Sequence, residues 1–281
     1  MPKPFGLRRR FIVAGALVLV ATAGFTSSMS WSNGARADDI GSASLAGVTS
    51  VGIHNTYADT TDYPYLADAL DTGASLIELD TWADVITSEW KVSHSNPLGN
   101  ENNCVQATSS SDLYTGGANK DLDSCLDDIR IWMQAHPTHG PVMVKIEMKD
   151  GFLLGLNPTE FDSYVKAHLG STLYTPADLL TKSDGSLYPN LDAAAQADNW
   201  PAYGSLDGKV IVEIIPGTVE QAVEPSSTWV DVVYAQHLID LYNSGGIANA
   251  AVFPSVLGAG RRPPRPLQRH RTAAVVRRVR R

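Results

Sequence analysis

The stretch SLIELDTW, Ser75 to Trp82, decides the fold. Ser75–Leu79 is a short apolar run of the kind a buried strand needs. Glu78 and Asp80 stand two apart, so a strand sends both carboxylates to one face at its C-terminal end. Four other short runs have the same character: Val48–Ile53, Pro141–Met148, Lys209–Ile215 and Ala250–Phe253. Between them lie helix-like stretches, Pro64–Leu70, Leu122–Ala135, Thr159–Leu169 and Val230–Asn243, the last followed by the helix stop NSGG. Strand, helix, strand at this spacing predicts parallel pairing and an α/β fold. A TIM-type (β/α) barrel is the leading architecture, since parallel strands are covered on both faces. A doubly wound sheet competes with it, although no glycine-rich phosphate loop follows the first strand. Only five strands are legible, so the expectation is a barrel incomplete at its C-terminal side.

The chain ends differ from the body. Lys3 and Arg8–Arg10 precede the apolar run Phe11–Ala23, and Ala35-Arg36-Ala37 offers a small-residue cleavage site. Residues 1–37 read as an export signal peptide, and RRRFIV has the form of a twin-arginine address. Residues 38–258 are expected to form the catalytic barrel domain. Residues 259–281 carry nine arginines and break from the body's composition; a basic tail for anionic polymers or membranes is one reading, and the product of a shifted reading frame is the preferred one. Asp38 to Gly260 holds all 30 acidic residues and eight basic ones, a formal charge of −22. Long-range repulsion makes nucleic acid an unsuitable partner and a multivalent cation a suitable one. Cys104 and Cys125, the two cysteines of an exported chain, are expected to form a disulfide that pins a polar loop over Pro97–Gly117.

Four motifs carry chemistry: HNTY (His54–Tyr57), IELDTW (Ile77–Trp82), KVSHS (Lys91–Ser95) and VKIEMKD (Val144–Asp150). In a barrel the strand C-termini converge on one mouth. His54 and Asn55 end the first strand, Glu78 and Asp80 the second, and Glu147 the third. Three gathered carboxylates repel one another and call for a cation. The oxygen ligands of Asn55, Glu78, Asp80 and Glu147 suit Ca²⁺, with Mg²⁺ second. His54 and His94 suit general base and general acid, because imidazole titrates near neutrality. Lys145 and Lys149 are placed to bind a phosphate. His136 and His139 read as a surface loop, His168 and His237 as structural residues, and Glu213 as a further candidate for the mouth.

These motifs, in this order, resemble the catalytic half of the calcium-dependent phosphoinositide-specific phospholipase C family, and in particular its secreted actinobacterial branch. Residues 45–150 carry the resemblance well and 200–255 loosely. It implies that His54 takes the proton of the inositol 2-hydroxyl, that His94 protonates the diacylglycerol oxygen, and that Asn55, Glu78, Asp80 and Glu147 bind calcium. It further implies a phospholipid substrate met at a membrane surface, and a monomeric enzyme is expected. Glycerophosphodiester phosphodiesterases open with His-Arg-Gly instead. Calcium-independent phospholipases use an arginine in place of the metal, and none stands between Arg36 and Arg130. A related phosphodiesterase for glycerophosphodiesters or sphingolipid headgroups, or a truncated inactive relative, are the competing readings.

Overall fold

The computed structural model describes residues 40–255, except Leu154. The signal peptide expected over 1–37 and the arginine-rich stretch over 259–281 lie outside the described residues.

The alternation in SLIELDTW becomes a two-sided strand. Strand β1 is Gly52–Ile53, β2 is Leu76–Asp84, β3 is Glu89–Val92 and β4 is Val142–Met148; β5 is Leu173–Tyr174, β6 is Val210–Pro216 and β7 is Phe253–Pro254. Strands β1, β2, β4 and β6 pair in parallel in that order, and β7 continues it beside β6. These are the five strands legible in the sequence. The short β5 shares the β6 edge with β7, and β3 folds back antiparallel on the far end of β2. The α/β class and the parallel order of a TIM-type barrel are present; among the described residues the sheet does not close on itself.

Register puts like with like. Ile77, Leu79, Val144, Ile146, Val212 and Ile214 share one face and are fully buried. Each contributes roughly 1.5–3 kcal/mol relative to exposure. Glu78, Lys145 and Glu213 stand side by side across β2, β4 and β6 on the other face, and Asp80 stands beside Glu147. The sequence of helices is α1 (Leu66–Asp71), α2 (Leu122–Ala135), α3 (Pro158–Leu169), α4 (Pro176–Leu180), α5 (Leu191–Gln196), α6 (Thr218–Val223) and α7 (Val230–Asn243). Helix α3 starts where it should: Asn157 accepts the amides of Thr159 and Glu160, and Pro158 takes the first turn. Trp90, Phe152 and Phe161 meet edge to face at 5.2–6.3 Å and join β3 to α3. No helix among the described residues is long and apolar enough to cross a membrane.

The Cys104–Cys125 disulfide is present and ties the polar loop to α2. Asp128 on α2 accepts the amides of Val105 and Ala107, both at 2.7 Å. Asn103 gives its backbone amide to the Tyr57 carbonyl and its side-chain amide to the carbonyls of Thr56 and Tyr63. The disulfide loop therefore grips the HNTY segment directly.

Candidate active site

The HNTY segment leaves β1 through a left-handed residue, Asn55 at φ 50°, a conformation that asparagine tolerates better than most side chains. This turn lifts the His54 ring out to solvent and drops Thr56 and Tyr57 into the core. The Thr56 hydroxyl donates to the Ile53 carbonyl at 2.8 Å and accepts the Glu78 amide at 3.1 Å, which locks the turn onto β2. Asn55 in turn donates its amide to Glu78 Oε2 at 3.2 Å.

Three carboxylates converge beyond this stitch. One oxygen each of Glu78, Asp80 and Glu147 lies within 4.8 Å of the others. Glu78 and Asp80 are buried, and 13% of the Glu147 side chain is exposed. Such crowding needs positive charge, and two lysines supply part of it. Lys145 reaches Glu78 Oε1 at 2.8 Å, while Lys149 bridges Asp80 at 2.7 Å and Glu147 at 2.8 Å. Burial works to raise the Glu78 carboxyl, but the Lys145 ammonium and the His54 ring outweigh it and hold it below its ordinary value. Lys149 shows the mirror effect: burial lowers it, yet Asp80 and Glu147 raise it overall. The buried Tyr57 phenol, beside Asp80, is pushed far up by burial and by that charge.

Both histidines are tied to this cluster through one ring nitrogen. His54 Nδ1 meets Glu78 Oε2, and His94 Nδ1 meets Asp80 Oδ2 at 3.0 Å. More than half of each side chain stays exposed, at 54% and 61%. A carboxylate on Nδ1 fixes the proton there in the neutral ring, so Nε2 keeps its lone pair. His54, Asn55, Glu78, Asp80, His94, Lys145, Glu147 and Lys149 are thus gathered at one end of the sheet. Lys149 is nearly inaccessible, at 4% exposure, while 30% of the Lys145 side chain is exposed.

The cluster has donors left over for a cation. Asn55 Oδ1 and Asp80 Oδ1 are buried oxygens without a hydrogen-bond partner. Unpaired buried oxygens beside three carboxylates match the all-oxygen set that a hard divalent cation takes. The remaining candidates fall elsewhere. His168 pairs with Asp127 and His237 with Asp162, while His136 and His139 bond backbone carbonyls around Trp132. Glu213 lies beside Lys145 and lines an apolar cavity of about 520 Å³ with Met143, Ile211 and Phe253; burial raises its carboxyl. Sequence reasoning did not single out Thr56, Asp128 or Glu220, because an isolated polar residue in a loop or short helix gives no periodic signal.

The family described as Ca²⁺-dependent phosphoinositide phospholipase C matches residues 62–223, which include Glu78, Asp80, His94 and Glu147. No curated protein matches the chain. Among solved structures, it is similar to a Ca²⁺-dependent phosphatidylinositol-specific phospholipase C from Streptomyces antibioticus. The two share 46% identity at a TM-score of 0.69, over 75% of this chain and 66% of that one. A calcium-dependent phosphoinositol-specific phospholipase C from a Gram-negative Pseudomonas sp. shares 27% identity at a TM-score of 0.58, over 77% and 67%. The chain spans just under two thirds of the Streptomyces protein's length.

Proposed function

Because the chain belongs to the Ca²⁺-dependent phosphoinositide phospholipase C family, we propose that it cleaves phosphatidylinositol to diacylglycerol and a cyclic inositol phosphate. One observation carries the reading: two exposed imidazoles are each held, through Nδ1, by a different carboxylate of one buried acidic cluster. That arrangement sets two imidazoles beside one acidic cluster and gives each ring a fixed partner for its positive form.

His54 Nε2 accepts the proton of the inositol 2-hydroxyl, whose oxygen attacks phosphorus. The bond from phosphorus to the diacylglycerol oxygen breaks, and His94 Nε2 gives that oxygen its proton. With the roles reversed, water opens the cyclic ester to inositol phosphate. Asn55, Glu78, Asp80 and Glu147 would hold Ca²⁺, which would supply positive charge for the phosphoryl oxygens and for the ionising hydroxyl. The partly exposed Lys145 supports the phosphate. Lys149 adds positive charge from beneath through Asp80 and Glu147.

The same reading makes residues 38–258 the catalytic domain, exported by the leader over 1–37 and acting as a monomer at a lipid surface. A body of formal charge −22 disfavours anionic surfaces at long range, so lipid contact would be either interfacial and apolar or transient. The test is release of cyclic inositol phosphate from phosphatidylinositol vesicles by the full chain, with calcium and with chelator. His54→Ala and His94→Ala each cost on the order of 10²-fold or more. Undiminished release in chelator overturns the metal assignment, and full activity of either alanine variant overturns the acid-base roles. A panel with choline and glycerol headgroups decides the substrate.

A further inference from the structure

Glu213 has no part in the reaction described above, yet it stands on the face that carries the site. The register sets Glu78, Lys145, Glu213 and Phe253 in one row across β2, β4, β6 and β7. Neighbouring strands lie about 4.8 Å apart, so the backbone of Glu213 is about 10 Å from that of Glu78. Lys145 stands between the two and gives its ammonium to Glu78 Oε1 at 2.8 Å. Among the described residues, no hydrogen bond or ion pair reaches the Glu213 carboxylate. A carboxylate present only to balance Lys145 would take that ammonium, and this one is left without it.

Glu213 opens instead onto the cavity of about 520 Å³. Met143 and Ile211 line it two residues back along β4 and β6, and Phe253 and Trp200 wall it with rings 6.5 Å apart. Asp192 and Asp231 belong to the same lining, which holds no basic side chain among the described residues. Keeping a partly buried carboxylate without a donor is costly, and burial raises the group while Lys145 draws it down. Carboxylate oxygens accept hydrogen bonds and donate none, whereas aromatic walls suit carbon–hydrogen faces. Those two surfaces side by side fit a polyol ring, whose hydroxyls donate and whose C–H face packs on the aromatic rings.

We infer that Glu213 is a specificity-determining residue: it accepts hydroxyls of the substrate's inositol ring, and its charge rejects headgroups that carry a further phosphate on that ring. The identity of the headgroup rests on the function proposed above; the polyol site formed by Glu213 and Phe253 does not. An added ring phosphate would meet Glu213, with Asp192 and Asp231 in the same lining. Lys145 and Lys149 are already bonded to Glu78, Asp80 and Glu147. The like charge works against the phosphorylated headgroup, and the unpaired carboxylate works against a headgroup without hydroxyls.

Two measurements on the full chain test this. The first compares initial rates on phosphatidylinositol and on phosphatidylinositol with one added ring phosphate, each diluted into phosphatidylcholine vesicles with calcium. Glu213→Gln keeps the size of the side chain and loses its charge. In that variant KM for phosphatidylinositol rises on the order of tenfold while kcat stays close to wild type, because a bond to a charged acceptor is weakened. Its preference over the ring-phosphorylated lipid narrows by a similar factor. The second is a titration with free inositol, without lipid, followed at the Trp200 indole resonance. Inositol shifts that resonance in the wild type, and Glu213→Leu raises the dissociation constant on the order of tenfold or more. The inference is overturned if Glu213→Gln keeps the wild-type KM and headgroup preference, if inositol leaves Trp200 unmoved, or if Glu213→Leu binds inositol as the wild type does. A wild type that releases no cyclic inositol phosphate refutes the function proposed above instead, and the titration still decides the Glu213 site.

Discussion

Thr56→Val removes one oxygen from the centre of the site and keeps the side chain's shape. Thr56 is fully buried, and its hydroxyl both donates to the Ile53 carbonyl and accepts the Glu78 amide. Valine offers neither bond. A buried peptide N–H left without a partner costs about 1–3 kcal/mol, and the lost bond to the carbonyl adds about 1 kcal/mol. The expected loss of unfolding free energy is thus about 2–4 kcal/mol. Thr56→Ser keeps the hydroxyl and loses one methyl group, which costs about 1 kcal/mol. Urea unfolding of the three proteins measures both, provided the slope with denaturant is unchanged. Activity falls in the valine variant as well, because the same hydroxyl sets His54 and Asn55 against Glu78. A valine variant within about 0.5 kcal/mol of wild type, or a serine variant as damaged as the valine one, refutes the reasoning, since each contradicts the cost of the unpaired amide.

Four further outcomes follow from the same structure. Replacing Cys104 and Cys125 by serine opens a loop of 21 residues and lowers stability by about 3 kcal/mol in the chain-entropy model, read as a shift in the urea midpoint. Tyr234→Phe removes a buried hydroxyl that serves Asp162 and the amides of Ala251 and Val252; a loss of about 1–3 kcal/mol is expected in thermal or urea unfolding. Glu220 binds its proton more tightly folded than unfolded, so its contribution to stability is undiminished below about pH 4.5 and falls as pH rises toward about 7. Glu220→Gln flattens that slope by roughly 2–3 kcal/mol over the window. Gly217→Ala drives a methyl into Lys149 and disturbs the Thr218 amide beside Glu147; calcium affinity measured by calorimetry falls, while affinity equal to wild type contradicts the close approach.

The parts of this molecule that repeat with a period were legible, and the parts that depend on register were not. Helices α2 and α7 run Leu122–Ala135 and Val230–Asn243, as their apolar pattern predicts. The second strand was foreseen only to Leu79, because TWAD and EWKV are not continuous apolar runs; their pairing as a hairpin carries β2 on to Asp84. The first strand is shorter than its apolar run at its start: only Gly52 and Ile53 pair with β2, and Val48–Val51 lie outside the strand. Glu78, Asp80 and Glu147 share a face by simple alternation, so their meeting was readable. That Lys145 stands opposite Glu78 needed the β2–β4 register. Asp162, which receives Tyr234, His237 and the Ala251 amide, looks in sequence like any solvated helix residue. Its partners are 72 to 89 positions away, beyond the reach of any local pattern.

Asn103 neighbours Cys104 and holds the carbonyls of Thr56 and Tyr63 while donating to Tyr57. The oxidation state of one thiol pair is thereby transmitted, one residue along the chain, to the backbone that presents His54. Reduction frees the loop at Cys104 and leaves Asn103 and the amides bound by Asp128 to keep the HNTY segment in place. Protein made under reducing conditions therefore carries His54 on a slacker frame. The redox state in which this chain folds is in that sense part of what shapes the site.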